Sequence, residues 1–372
     1  MKSIANHFGK SKSIKGLDFA NSICINPMEG TDALADGTPG ILTRERYAAF
    51  AESGAGLIWG EAVAVSPECR ASANQLMLTE ENADSFSELI AAIKKINPMV
   101  KLICQLTHSG RFSKPEGTPR PLAAMRDPYL DGRYPVHTGF EPVSDEYLAA
   151  VPQLFYKSAK LCKSAGFDGV DIKACHRYLV GELLAAYTRP GNYGGSFKNR
   201  TRLLRDIFTA IEPLAEDDFI LCSRFGIYDA IAYPYGFGVG RGGEPDYGEP
   251  IELLKILQKS GLSLVNITMG TPYYNAHINK PHKSPAYDPE SSVDNLLRGA
   301  SLIKAACPDL YVVSTGFSYL KERAFERGNQ LLGAGGADFI GFGRLAFAHK
   351  TFAREILSGK LDAKNCCVAC NK

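Results

Sequence analysis

A (β/α)8 TIM barrel with extended loops at the C-terminal face of its strands is the fold class this sequence predicts, and three observations predict it. Eight short apolar, β-branched runs recur along the chain, helix-period segments separate them, and no linker rich in Gly, Pro or Ser divides the chain in two. Strands that alternate with helices imply parallel βα units, because a parallel return needs a crossover. Eight such units close a barrel, and the 372 residues leave room for insertions beyond the roughly 250 of a plain one.

The expected strands are SICIN (22–26), GLIWG (56–60), KLICQL (101–106), GVDIK (169–173), FILCSR (219–224), LVNIT (264–268), YVVST (311–315) and DFIGF (338–342). Three segments that follow them are too long to be simple connections: a proline-rich stretch over 107–143, a Gly/Tyr/Phe stretch over 225–247, and MGTPYYNAHINKPHKSPAYDPES over 269–291. Each should lie at the C-terminal face, where barrel enzymes keep their chemistry, and the aromatic content of each favours an ordered lid over disorder. The organisation expected is an N-terminal arm over 1–20, a barrel over 21–360 and a cysteine-rich tail over 361–372.

Charge and hydropathy exclude several function classes. Forty-two Lys and Arg face 40 Asp and Glu, so nothing favours a nucleic acid or an anionic membrane surface as partner. No run approaches the ~18 apolar residues needed to cross a bilayer. The opening MKSIANHFGKSKSIKG lacks an apolar signal core and reads as a polar arm, which makes the cytoplasm the expected location. Cys24, Cys69, Cys104, Cys162, Cys175, Cys222 and Cys307 are scattered singly and read as small buried hydrophobes in a reducing compartment. Trp59, inside the second run, reads as core.

The chemistry concentrates in three motifs: Gln105-Leu-Thr-His-Ser-Gly-Arg111 at the end of the third strand, Lys173-Ala-Cys-His-Arg-Tyr-Leu179 at the end of the fourth, and Tyr193-Gly-Gly-Ser-Phe-Lys-Asn-Arg200 beyond it. With these the chain resembles the old yellow enzyme family, and more closely its branch related to 2,4-dienoyl-CoA reductase and trimethylamine dehydrogenase. The landmarks run in the family's order from Pro27-Met28 to Gly343-Arg344.

The resemblance implies FMN across the C-terminal ends of the strands, with NAD(P)H as reductant. It implies that Pro27, Met28 and Glu29 border the flavin ring, that Gly60, Glu61 and Ala62 pass beneath its edge, and that Gln105 reads the pyrimidine side. A carboxamide suits that task because it both donates and accepts. Arg224 would set a cation where reduced flavin gathers negative charge. Gly316, Gly343 and Arg344 would hold the phosphate, in agreement with the phosphate site that barrels commonly build from their last two βα loops.

The resemblance also marks Lys173, His176 and Tyr178 as the reactive side chains. The first two would grip the substrate's activating oxygen and the third would return a proton. The chain departs from the family at three of these positions: Lys173 replaces a His, Arg177 replaces a Gly, and Glu29 stands where Cys, Thr or Gly is usual. A lysine donates but does not accept at neutral pH. It therefore favours an anionic oxygen on the substrate, the bland alternative being a Lys173–Glu29 ion pair. Arg177 reads as a salt-bridged scaffold residue, His108 as structural, and Cys175 as packed inward. Tyr273, Tyr274, Asn275 and His277 form either a pocket wall or a packed loop.

Cys366, Cys367 and Cys370 resemble the opening of the branch's [4Fe–4S] motif, which takes four thiolates. The tail alone does not supply four. A longer chain, a zinc site and a plain surface tail are the readings of it.

The function expected is an FMN-dependent, NAD(P)H-driven ene-reductase acting on a small unsaturated substrate, with a homo-oligomeric state left open. Three alternatives stand beside it: an amine or C–N dehydrogenase on the same scaffold, a Schiff-base aldolase-type barrel using Lys173, and a non-catalytic flavin-binding protein. A colourless preparation would favour the aldolase, and a flavin that NAD(P)H does not bleach would favour the passive binder.

Overall fold

The computed structural model describes residues 6–133 and 139–370. Its first two strands, β1 (Lys12–Ile14) and β2 (Leu17–Phe19), pair antiparallel. The other eight are β3 (Ile23–Ile25), β4 (Leu57–Ala64), β5 (Lys101–Thr107), β6 (Gly169–Ile172), β7 (Ile220–Gly226), β8 (Leu262–Thr268), β9 (Tyr311–Ser314) and β10 (Phe339–Phe342). These close in the order β10-β3-β4-β5-β6-β7-β8-β9, and every pair among them is parallel. All eight apolar runs read from the sequence are barrel strands.

Strands covered on both faces read as continuous apolar runs, and the helices supply the second cover. The larger apolar cluster lies between strands and helices, where Leu89, Ile90 and Ile93 of the helix Ala83–Ile96 and Leu203, Ile207 and Phe208 of Arg202–Ile211 are buried. A smaller cluster fills the barrel's interior with Cys24, Leu57, Trp59, Ile103, Ile220, Cys222, Leu264, Val313 and Phe339.

The N-terminal segment is not simply a polar arm. Ile14, Leu17 and Phe19 of the hairpin join the interior cluster, and Phe19 meets Phe339 edge to face with centroids 5.2 Å apart. The cluster includes Leu57, Ile220 and Phe339, each the first residue of its strand, so the hairpin stoppers the N-terminal end of the barrel and leaves the other end for chemistry.

The three long loops interlock over that other end. Tyr129 of the first meets Tyr235 of the second at 5.9 Å and Tyr274 of the third at 5.7 Å, and Arg133 lies 4.4 Å from the centroid of Tyr274. Part of the first loop, 134–138, lies outside the described residues. The motif arginines anchor this superstructure. Buried Arg111 donates to Glu182 Oε1 at 2.7 Å through Nε, and Arg200 donates to Glu249 at 2.6 Å and lies 3.7 Å from the centroid of Tyr187. Ser196 of the Tyr193–Arg200 run caps the short helix Phe197–Arg200 by accepting from Asn199 N. His108 sits within hydrogen-bond distance of Tyr147 Oη at 2.8 Å, and burial pushes its imidazole down to about 3.

Candidate active site

A cavity of about 340 Å³ opens at the C-terminal ends of the strands. Strand ends and the first residues after them deliver its lining. Pro27, Met28 and Glu29 follow β3, Gln105 lies in β5, Lys173 and His176 follow β6, and Arg224 lies in β7. Gly316 follows β9, and Gly343 and Arg344 follow β10. Tyr178 completes the set, so eleven of the fourteen candidate site residues line one cavity.

Gly60, Glu61 and Ala62 do not; in this segment the register of β4 on β5 shifts between Trp59 and Ala62. A Cβ on Gly60 would meet Ile103 O at 3.0 Å, and Glu61 reaches outward to an ion pair with Arg46 at 2.6 Å.

Two ends of the cavity differ in chemistry. At one, Gln105 and Arg224 are organised by a carboxylate that the sequence reading passed over. Asp171 of β6 is fully buried and accepts from Trp59 Nε1 at 2.6 Å, Gln105 Nε2 at 2.6 Å and the Arg224 backbone N at 2.5 Å. Burial raises its pKa above the ordinary carboxylate value, and the three donors oppose that rise. Arg224 Nη1 donates to Pro27 O at 3.1 Å, while its Nε is buried without a partner.

The other end is cationic and glycine-rich. Gly316 has φ +102°, a conformation that glycine adopts without strain, and a Cβ on Gly343 would lie 3.1 Å from Met28 Sδ. Arg344 lines this end with Lys280, which the sequence reading did not single out. Burial and the neighbouring Arg344 push the Lys280 ammonium below its ordinary value. Two cations held together in a half-buried place are the electrostatic imprint of an anion site. Ser318 Oγ accepts from the Gly343 and Leu345 amides at 3.1 and 3.2 Å and fixes the turn.

Between the ends lie the reactive side chains. Lys173 is buried, its Nζ 3.6 Å from Glu29 Oε1 and 3.7 Å from the centroid of the Tyr178 ring. No acceptor among the described residues reaches that ammonium within hydrogen-bond distance. His176 Nε2 is likewise buried and unpartnered. Burial first, then Arg224, Lys173 and Lys280, push His176 well below its ordinary value, so its imidazole is neutral. Tyr178 Oη lies 3.0 Å from Tyr273 Oη, and Tyr273 stacks on Phe112 with centroids 3.6 Å apart. Burial, Glu29 and Tyr273 raise the Tyr178 phenol well above its ordinary value and keep its proton on.

The backbone that presents these groups is strained. His176 and Arg177 are consecutive non-glycine residues with φ of +61° and +62°, each costing on the order of 1 kcal/mol or more. Arg177 anchors the segment: fully buried, it pairs with Asp127 at 2.7 Å and Asp229 at 3.2 Å. Cys175 packs inward, and burial pushes its thiol up to about 12. Of the sixth-strand loop, Tyr273 lines the cavity, whereas Asn275 braces the loop by accepting from Thr271 N and donating to Asp229 O.

The site fits a flat, phosphorylated ring system. Two buried polar atoms without partners, His176 Nε2 and Arg224 Nε, belong to residues that line it. Its far end combines a glycine cradle with paired cations, and its volume falls within the roughly 300–1,000 Å³ of cofactor pockets. Among the described residues, no group of three His, Cys, Asp or Glu is placed to hold a metal. In the tail Cys366 is buried, Cys367 accepts from Ala369 N at 3.3 Å, and Cys370 is exposed. No described helix is long and apolar enough to cross a membrane.

Known proteins resemble this chain in sequence and in fold. Over 207 residues the chain is 33% identical to an NADPH dehydrogenase of Bacillus licheniformis, covering 54% of this chain and 58% of that protein. Over 380 residues it is 26% identical to an NADH oxidase of Thermoanaerobacter brockii, covering all of this chain and 54% of that protein. The chain thus spans little more than half the length of these relatives. Among solved structures, a 2-naphthoyl-CoA reductase superposes with TM-score 0.82 at 19% identity, covering 98% of this chain and 54% of that one. At that identity the likeness concerns the fold. The sequence model of one family matches residues 13–237, more than half of the chain. By that match the chain belongs to the NADH:flavin oxidoreductase / NADH oxidase family, the old yellow enzyme family that its motifs resemble.

Proposed function

We propose that the chain is an FMN-dependent ene-reductase driven by NADH or NADPH and acting on a small alkene conjugated to a carbonyl or carboxylate. The observation that carries the proposal is the convergence of Lys173, His176 and Tyr178 on the cavity that also holds Gln105, Arg224 and the Gly316–Gly343–Arg344 end. FMN, when bound, supplies a two-electron carrier that the nicotinamide reloads and that delivers hydride to an electron-poor carbon.

The side chains supply the rest. Gln105 and Arg224 hold the ring, with the guanidinium favouring the negative charge that reduction brings. Arg344, Lys280 and the two glycines hold the phosphate. Lys173 Nζ and the unpartnered His176 Nε2 bind the substrate's activating oxygen, which polarises the alkene. Tyr178 keeps its proton for the carbon that receives it, and Tyr273 stands behind it as a second hydroxyl. Phe112 and Tyr273 wall water off.

Because Lys173 already faces Glu29, an anionic substrate oxygen has to compete with that carboxylate for the ammonium. In this reading an acid-bearing substrate binds by displacing Glu29, while a neutral enone uses His176 as its main donor.

The test is anaerobic. FMN-loaded protein is bleached with NADH or NADPH and then mixed with cyclohexenone or with a cinnamate-type acid; in parallel, oxidised FMN-loaded protein is mixed with trimethylamine, which a C–N dehydrogenase would use to bleach it. Reoxidation by an alkene, with the saturated product identified by NMR, is expected. A flavin that bleaches but is reoxidised by no activated alkene contradicts the proposal.

A further inference from the structure

We infer that Asp171 is a positioning residue for the cofactor: it fixes the orientation of the Gln105 carboxamide, so that the carbonyl oxygen of that amide, and not its NH2 group, is what the cavity presents. This rests on the flavin reading and deepens it.

Asp171 is wholly buried on the inward side of β6, between the interior apolar cluster and the cavity. Three donors converge on it from three neighbouring strands: Trp59 Nε1 from β4, Gln105 Nε2 from β5 and the Arg224 amide from β7. Its partners therefore include both residues that would hold the flavin ring. An ionised carboxylate only accepts hydrogen bonds. Facing Asp171, the amide of Gln105 has one stable orientation, with nitrogen towards the carboxylate. Gln105 Oε1 then has no donor among the described residues and remains for a ligand. The second hydrogen on Nε2 is the amide's only remaining donor.

The carboxylate also places a negative charge beneath Arg224, the cation that favours reduced flavin. A neutral replacement removes that opposition. It also makes the amide ambiguous, because an Asn at 171 accepts through one atom and donates through the other, so Gln105 gains a second orientation that turns NH2 into the cavity. Trp59, by contrast, shares Asp171 without lining the cavity. A merely structural role for Asp171 would be reproduced by losing the Trp59 bond.

The experiment compares wild type, Asp171→Asn, Asp171→Glu, Gln105→Leu, the Asp171→Asn/Gln105→Leu double variant and Trp59→Phe. FMN affinity of each apoprotein is measured by fluorescence quenching, and the midpoint potential of each FMN-loaded protein by dye equilibration. Asp171→Asn is expected to weaken FMN binding about tenfold, the typical effect of misdirecting one buried hydrogen bond, and to move the potential positive. Asp171→Glu should restore most of both. In the Gln105→Leu background Asp171→Asn should weaken binding little further, because it acts through the amide. Trp59→Phe should leave the potential in place.

If FMN binds the wild type and Asp171→Asn shifts neither affinity nor potential, the inference is overturned while the flavin reading stands. Equal, additive losses in the Gln105→Leu background, or a Trp59→Phe protein that matches Asp171→Asn, also overturn it. Wild-type protein that binds no FMN overturns both. Should Asp171→Asn not fold, Asp171→Ser, which is also neutral at that position, takes its place in the same measurements with the same expected and overturning results.

Discussion

Lys173 and Glu29, two of the positions at which this chain leaves its family's pattern, face each other across the cavity with Nζ 3.6 Å from Oε1. The substitutions are complementary. A lysine beside a ring that accumulates negative charge is balanced by a carboxylate, and the carboxylate, which alone would oppose reduction, is balanced by the lysine. In the proposed function the pair tunes the site as a unit.

Glu29→Gln should therefore change substrate preference. With the competing carboxylate removed, KM for an acid-bearing alkene is expected to fall about three- to tenfold, a modest share of the ~4 kcal/mol that unit charges exchange at 4 Å in a protein-surface dielectric. KM for a neutral enone should move little. Steady-state kinetics on one substrate of each kind decides it; equal shifts for both would mean that Glu29 does not compete for Lys173.

Tyr178→Phe removes the proposed proton donor and leaves the ring. The oxidative half-reaction should slow about 10²- to 10⁴-fold, the usual worth of a positioned general acid, while bleaching by NAD(P)H keeps its rate. Because burial, Glu29 and Tyr273 raise the phenol above its ordinary value, the wild-type oxidative step should show no loss of rate up to the ordinary phenol range near pH ~10. Stopped-flow absorbance across pH gives both results. A slowed reductive half-reaction would place Tyr178 elsewhere in the cycle.

His108 carries a prediction about stability. Its folded value, pushed down to about 3 by burial, lies below the ordinary 6.5 of an unfolded histidine. Above that ordinary value neither state binds the proton and nothing is lost. As pH falls below it, only the unfolded chain takes up the proton, so stability drops by about 1.4 kcal/mol per pH unit for this one group, until the folded histidine also titrates. His176, also depressed, adds in the same direction. Urea unfolding should show His108→Gln with a shallower acid dependence than wild type; identical slopes would remove His108 from the account.

Arg177→Ala should cost about 3–5 kcal/mol, because it strands Asp127 and Asp229 as buried, unpaired carboxylates. Urea denaturation measures this directly. A loss within about 0.5 kcal/mol, typical of surface positions, would show that the two carboxylates do not depend on Arg177.

Much of this architecture is legible in the sequence because parallel barrel strands, covered on both faces, are written as continuous apolar runs. GVDIK and DFIGF need no context to be seen. The hairpin at residues 12–19 escapes the same reading: its strands are three residues long and lie in a lysine-rich stretch, where Ile14, Leu17 and Phe19 look incidental. The site divides in a similar way. Gln105, Lys173 and His176 sit inside recognisable motifs, and Arg224 closes an apolar run. Asp171 looks like any acid in a strand until closure of the barrel brings Trp59, Gln105 and Arg224 onto it. Lys280 lies far from Arg344 in sequence and meets it only through the fold of the sixth-strand loop. Gly60 and Ala62, expected beneath the ring's edge, do not line the cavity and lie where the register of β4 on β5 shifts, an irregularity that carries no mark in the letters GLIWGEAVA.

The account rests on a flavin held between Gln105 and Arg224 at one end and Arg344 at the other. Its most direct test is a titration of apoprotein with FMN and with riboflavin, in wild type and Arg344→Ala, followed by flavin fluorescence and visible absorbance. The account predicts one FMN bound per chain, tighter than riboflavin, with Arg344→Ala erasing most of that preference, about ten- to a hundredfold for a charge-assisted contact. Protein that stays colourless and leaves the fluorescence of micromolar FMN unquenched would contradict it.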